Sequence, residues 1–334
     1  MALGEYNNFY ITVMRKIILA CSFVLLSCGL HEMLPALNPM TEERMVSALQ
    51  EALVLGSKTA ADNLGNSSCV SKECVTGYLG NKLVEIALPD TVANVLNKMS
   101  DFSKKLDAMG FTTALNTVSG FMNTAGLKSD LAVFSSGLDK YADSIKTALN
   151  RGAEKAAPNS IGVFRDAIFG MSFSDAKGVL MGNSVAATSY LENTTYNGLK
   201  TAFAPIIKEP LDLLNPNKYW KPLADNYNSL ASSYSSFQRQ LSSNSIASSL
   251  VNNALGGSYL PDLPYDNLSS DLSGTLATYA TGKALDGLFL MVGKQETKLR
   301  EDPWGTISSL GSFVSDGVGN LLGDVFSKAK EGLL

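Results

Sequence analysis

One histidine, His31, is all that 334 residues contain, alongside four cysteines and two tryptophans. A single imidazole leaves no room for a His-rich metal site or a Ser-His-Asp triad. Charge is sparse as well: Asp, Glu, Lys and Arg make up 17% of the chain, where about 25% is usual. The 27 basic residues fall short of the 31 acidic ones, for a net charge of −4. Phosphate binding needs a dense basic face, so nucleic acid is not expected as a partner. Alternation of apolar and polar residues never holds over five or more positions, so strands should be few. Against these shortages stands 45% hydrophobic residues, enough for a substantial core, with Ser, Asn, Thr and Gly filling the remainder. The length suits two modest domains or one large one.

The most specific local signal is near the N-terminus. Arg15-Lys16 precede an apolar run from Ile17 to Leu26, followed by Ser27-Cys28-Gly29. Ten apolar residues are too few for a hydrocarbon core, which takes about 20, but they suit the h-region of a signal peptide. Leu25-Leu26-Ser27-Cys28 resembles the bacterial lipobox, in which the cysteine is acylated and becomes the new N-terminus. On that resemblance residues 1–27 are removed and Cys28 carries lipid. Residues 1–13 add polar positions that no signal needs, so Met14 is a plausible true start. Residues 28–40 then form a lipidated tether. The body left behind is mildly acidic, so the acyl chains must do the anchoring. Gly29 stands where an inner-membrane retention signal would place Asp, which directs the expectation to the periplasmic face of the outer membrane. In that oxidising compartment Cys69 and Cys74 are candidates for a small disulfide. No metal site is expected.

Beyond the tether, apolar residues recur at helical spacing almost everywhere. Met45 to Ala60 follow Thr41-Glu42-Glu43, and Val92, Val95, Leu96 and Met99 follow Pro89-Asp90. The stripe from Leu138 to Ala156 stops before Pro158. Ser172 and Asp175 form a capping-box pattern for a helix ending near Gly182-Asn183. Ser184 is expected to cap the next helix, and Pro205 to kink or break it. Another helix runs from Leu272 to Asp302-Pro303. The expected fold is all-α, an irregular multi-helix bundle with long kinked helices. Residues 229–270, dominated by Ser and Asn, read as an insertion holding one loose helix around Phe237 to Leu255. Residues 304–334 place Trp304, Ile307, Leu310, Val314, Val318, Leu321, Leu322, Val325 and Phe326 on one face among many glycines, which suits docking on the body or on a membrane or partner.

Three blocks carry a family resemblance. They are Leu149-Asn150-Arg151-Gly152-Ala153-Glu154-Lys155-Ala156-Ala157-Pro158, then Asp166 through Lys208, and Tyr279 through Phe289, closed by Glu296, Arg300 and Pro303. Together they resemble the bacterial family catalogued as DUF4197, a domain of unknown function often found on predicted lipoproteins. The resemblance covers roughly residues 45–303 and implies a helical, exported domain.

Helical spacing says which polar residues of these blocks can meet. Arg151 and Glu154 are three apart, as are Lys283 and Asp286, while Glu296 and Arg300 are four apart. Asn150, Arg151, Glu154, Asp166, Asp175, Thr188, Lys208, Lys283 and Asp286 are candidates for one inter-helix cleft. There Arg151 would offer a planar fork to a carboxylate or phosphate. The bland alternative is that they cap helices and bridge neighbours. Glu154 with Asp286 is a weaker candidate for a hydrolase acid/base pair, which needs carboxyls roughly 5–10 Å apart across a groove. Gly311 to Gly323 follows no strand and lacks a Lys-Ser/Thr pair, so it is no P-loop, and no cofactor is expected. The expectation is a lipid-anchored, non-enzymatic module that binds a partner protein, an envelope polymer or a small amphiphile. A hydrolase or transferase, or an amphiphile carrier with an apolar cavity, is the alternative.

Overall fold

The computed structural model describes residues 42–68, 75–213, 216–269, 273–302 and 306. The signal segment, the tether with Cys28, the Cys69–Cys74 pair and residues 307–334 therefore lie outside the described residues. Contacts divide the chain into Met1–Ser47 and Ala48–Leu334, and the second unit contains nearly all of the described residues. Its described residues hold helices and no strand, in agreement with the all-α expectation. In chain order the α-helices are α1 (Glu42–Gly65, which enters the unit at Ala48), α2 (Asp90–Ala108), α3 (Phe111–Thr117), α4 (Ala125–Ala156) and α5 (Ser160–Phe169). They continue with α6 (Phe173–Met181), α7 (Ala186–Leu213), α8 (Pro216–Ser243), α9 (Ser245–Ala254) and α10 (Ser273–Glu301).

Local chemistry sets most of these boundaries. Pro89 precedes the first turn of α2, where a missing N–H costs nothing, and Val92, Leu96, Met99, Phe102 and Leu106 then bury one stripe. The α4 helix stops at Ala156 because Pro158 turns the chain through a short 3₁₀ segment, Ala157–Asn159, straight into α5. The capping box is present: Ser172 Oγ accepts the Asp175 N–H at 3.1 Å, and Asp175 accepts the Ser172 N–H at 3.2 Å.

Of the two outcomes expected at Pro205, a kink or a break, the break does not occur, for α7 runs on to Leu213. A proline in a helix interior costs about 3 kcal/mol. Phe203 and Ile207, on either side of it, are fully buried and return about 1.5–3 kcal/mol each. Nor does the Ser/Asn-rich stretch hold one loose helix. The α8 helix passes through it with Leu223, Tyr227, Leu230, Tyr234, Phe237 and Leu241 buried at alternating four- and three-residue steps. A new helix, α9, then starts behind Asn244, whose Oδ1 accepts the Ala247 N–H at 3.0 Å. The serines occupy the other faces of α8, where they dilute the apolar pattern without interrupting it.

The core lies where α4 packs on α8 with its first half and on α7 with its second, and where α10 packs on α7. Phe134 of α4 meets Tyr227 of α8 with ring centroids 5.8 Å apart. Farther along α4, Gly152 lets the backbones close up: a Cβ there would sit 3.2 Å from the Ile207 carbonyl oxygen of α7. Two irregular loops, residues 75–89 and 257–269, complete the packing. Trp220 on α8 is buried and donates its indole N–H to the Ser269 carbonyl at 2.8 Å.

Candidate functional site

The residues singled out from the sequence gather at two buried nodes and scatter elsewhere. At the first node α4 holds the loop 75–89. Asn150 is fully buried; its Oδ1 accepts the Ile86 N–H and its Nδ2 donates to the Ile86 carbonyl, both at 2.8 Å. That pair replaces the partner strand that an extended backbone otherwise needs. One turn on, Glu154 Oε1 accepts the N–H groups of Tyr78 and Leu79, each at 3.0 Å. Its Oε2 pairs with Arg151 Nη1 at 2.6 Å, and that nitrogen also donates to the Ser67 carbonyl at 2.7 Å. Glu154 is 2% exposed, and a buried carboxylate is tolerable only when it is paired and hydrogen-bonded in this way.

Tyr78 carries the node across to α10, donating its hydroxyl proton to the Ala284 carbonyl at 2.6 Å. Burial, and then the charges of Glu154 and Asp286, hold its phenol well above the usual tyrosine range, so it stays a donor. Gly77 sits at φ +72°, where a Cβ would come within 2.7 Å of the Asn66 carbonyl oxygen and 2.8 Å of Glu154 Oε1. Only glycine fits that turn.

The second node joins α6, α7 and α10. Glu296 is 6% exposed. Its Oε1 accepts the Ala187 N–H at 2.9 Å, and its Oε2 accepts the N–H and hydroxyl of Thr188 at 2.8 Å each. The carboxylate thus caps the first turn of α7 from another helix, in the place expected of Ser184. Arg300 reaches Glu296 Oε1 with Nε at 2.9 Å and Nη2 at 2.8 Å; Nη2 also donates to the Val179 carbonyl at 2.6 Å and Nη1 to the Leu180 carbonyl at 3.3 Å, in the last turn of α6. One ion pair satisfies orphan groups at two helix ends.

The nine residues proposed for one cleft do not converge. Asn150, Arg151 and Glu154 form the first node, and Thr188 belongs to the second. Asp175 serves the capping box, while Asp166 on α5 and Lys208 on α7 are exposed. Lys283 and Asp286 pair at 3.1 Å on the surface of α10, and the hydrogen bond to Asp286 is the main reason the lysine pKa rises. Glu154 and Asp286 both influence Tyr78, yet the first faces loop backbone and the second solvent. These carboxylates cap and bridge, the bland alternative.

What spacing did not reveal is an apolar groove beside the second node. Leu53 and Gly56 of α1, Leu191 of α7, and Val292, Gln295 and Leu299 of α10 line it, with Thr306 at its rim. Gly56 faces α10, where a Cβ would meet Gln295 Cβ at an ordinary contact distance of 3.7 Å. The signal available in the sequence was Gly56 within an otherwise regular apolar stripe. Among the described residues no group of His, Cys, Asp and Glu is arranged to hold a metal ion. None of their helices is long and apolar enough to cross a membrane.

A family model described as "Protein of unknown function (DUF4197)" matches residues 126–261 and 253–314. No curated protein and no solved structure matches the chain.

Proposed function

The chain belongs to the DUF4197 family, whose model spans more than half of its length, and on that premise we propose a lipid-anchored envelope protein that binds rather than catalyses. The lipobox-like Leu25-Leu26-Ser27-Cys28 behind a basic and apolar leader supports the anchor. Gly29 favours the outer membrane, facing the periplasm. The observation that carries the binding role is the division of labour inside the second unit. Among the described residues the buried acidic side chains, Glu154 and Glu296, are committed together with their arginines to this chain's own backbone, while the groove between α1, α7 and α10 is lined mainly by apolar side chains. Such a surface recognises an apolar segment of a protein or a small amphiphile, not a sugar polymer, which needs aromatic platforms and free polar groups.

Two measurements test this. The intact mass of the mature protein is expected to show loss of residues 1–27 and acyl groups on Cys28; an unmodified chain retaining those residues ends the anchored reading. Filling the groove with Gly56→Leu is expected to weaken binding of a hydrophobic fluorophore such as anilinonaphthalene sulfonate. Unchanged binding in a folded variant would remove the groove as the binding surface.

A further inference from the structure

We infer that the groove between α1, α7 and α10 takes a small uncharged amphiphile, its head group paired with the side-chain amide of Gln295. Gln295 is 9% exposed and lines the groove. Every other buried polar side chain among the described residues hydrogen-bonds within the chain, from Ser57 and Asn150 to Thr281 and Glu296. The Gln295 amide makes no hydrogen bond to the protein, and neither its oxygen nor its nitrogen is wholly sealed. A buried amide without partners costs about 1–3 kcal/mol, so a bound group that supplies them recovers that cost.

The walls set the size and charge of what can enter. Leu53, Leu191, Val292 and Leu299 around the amide are buried, and Leu55 and Gly56 are half-buried. Such a space suits one short aliphatic chain and leaves no room for a stretch of polypeptide. Glu296 is the one ionisable group among the described lining residues. Its oxygens already receive the Ala187 N–H, the Thr188 N–H and hydroxyl, and Arg300. An anionic head would meet this carboxylate with no cation to offset it, and a cationic head would lose its hydration without a free acceptor. A neutral head that both donates and accepts has neither cost, and a carboxamide closes two hydrogen bonds with Gln295 at once.

This deepens the reading of the groove as a binding surface, on which it rests, and does not depend on the lipid anchor. The test is equilibrium dialysis of the full chain at neutral pH against hexanamide, hexanoate, hexylammonium and toluene. Hexanamide is expected to bind saturably, and the two ions at least about tenfold more weakly, since neither finds a partner for its charge. Gln295→Leu, an apolar replacement of similar size, is expected to weaken hexanamide about three- to tenfold, the worth of neutral hydrogen bonds. Toluene, which has no head group, should bind that variant as it binds the wild type. Equal binding of hexanamide by Gln295→Leu and wild type would overturn the inference, as would equal binding of either ion and hexanamide by the wild type. Toluene binding without hexanamide binding, the result if only water meets Gln295, would overturn it too. Those outcomes leave the groove a binding surface. If the wild type binds neither toluene nor anilinonaphthalene sulfonate, both readings fall. The ion comparison uses the wild type alone and stands even where the variant does not fold.

Discussion

The loops 75–89 and 257–269 are both irregular, both tied to long helices, and held by different side chains. Each has one asparagine that mimics a strand partner. Asn150 brackets Ile86 with both amide atoms, and Asn228 brackets Leu268 in the same way, at 2.8 and 3.1 Å. The remaining anchors diverge. In the first loop the backbone turns N–H groups inward, those of Tyr78 and Leu79, and an ionised carboxylate receives them. In the second the backbone offers mainly carbonyls, although the Tyr265 N–H also donates to Tyr227 Oη at 2.9 Å. Tyr234 donates to Pro261 at 2.8 Å, Tyr227 to Tyr265 at 2.5 Å and Trp220 to Ser269. Converging donors call for an acid with an arginine beside it, while converging acceptors call for hydroxyls and indoles on apolar bodies. The rings also pack among themselves, Phe102 against Tyr234 at 5.4 Å and Phe111 against Phe237 at 5.7 Å.

This contrast can be broken with substitutions. Glu154→Ala should have the largest effect, since it removes the acceptor of the Tyr78 and Leu79 N–H groups and the carboxylate that pairs with Arg151. A loss of about 3–5 kcal/mol in urea unfolding is expected for a broken buried ion pair; less than about 1 kcal/mol would mean the loop has other support. Alkaline pH comes next. Burial, chiefly, pushes the Tyr227 phenol up to about 12 from 10.0 and raises those of Tyr234 and Tyr78 as well. A folded pKa above the unfolded one gives stability that is complete below about pH 10 and lost as pH rises through the folded value, about 2–3 kcal/mol for a shift of two units. Unfolding midpoints should therefore fall between pH 10 and 12, and Tyr227→Phe should flatten that slope; a flat wild-type profile would contradict it. At neutral pH, Tyr234→Phe should cost about 1–3 kcal/mol, the penalty of leaving the Pro261 carbonyl unpaired. Smallest of all, Lys283→Ala should stay within about 0.5 kcal/mol, because both partners of that pair are more than half exposed. Its spacing matches that of Arg151 and Glu154, so a large loss would show that spacing rather than burial sets the strength of these pairs.

Helix starts and stops were readable because the groups that set them are neighbours in the chain. Pro89-Asp90, the Ser172/Asp175 box and Pro158 act over a few residues, and all three stand where expected. The nodes were half readable. Spacing correctly put Arg151 beside Glu154 and Glu296 beside Arg300. It could not reveal that Glu154 serves a loop 76 positions earlier, or that Glu296 caps a helix 108 positions away, because such targets exist only once the chain has folded. The Ser/Asn-rich stretch misled for a different reason. Composition averages over all faces of a helix, whereas burial depends on one, and the buried face from Leu223 to Leu241 consists mainly of leucines and aromatic rings. A break at Pro205 does not occur because the tertiary packing of Phe203 and Ile207 offsets the local cost.

Trp220 gives this arrangement an optical handle. It is one of two indoles in the chain, buried in apolar surroundings with its N–H tied to Ser269. Replacing Trp304 with Phe would leave a single emitter whose colour reports on one loop. Blue emission would mean that residues 257–269 are seated, and a red shift that they have lifted away.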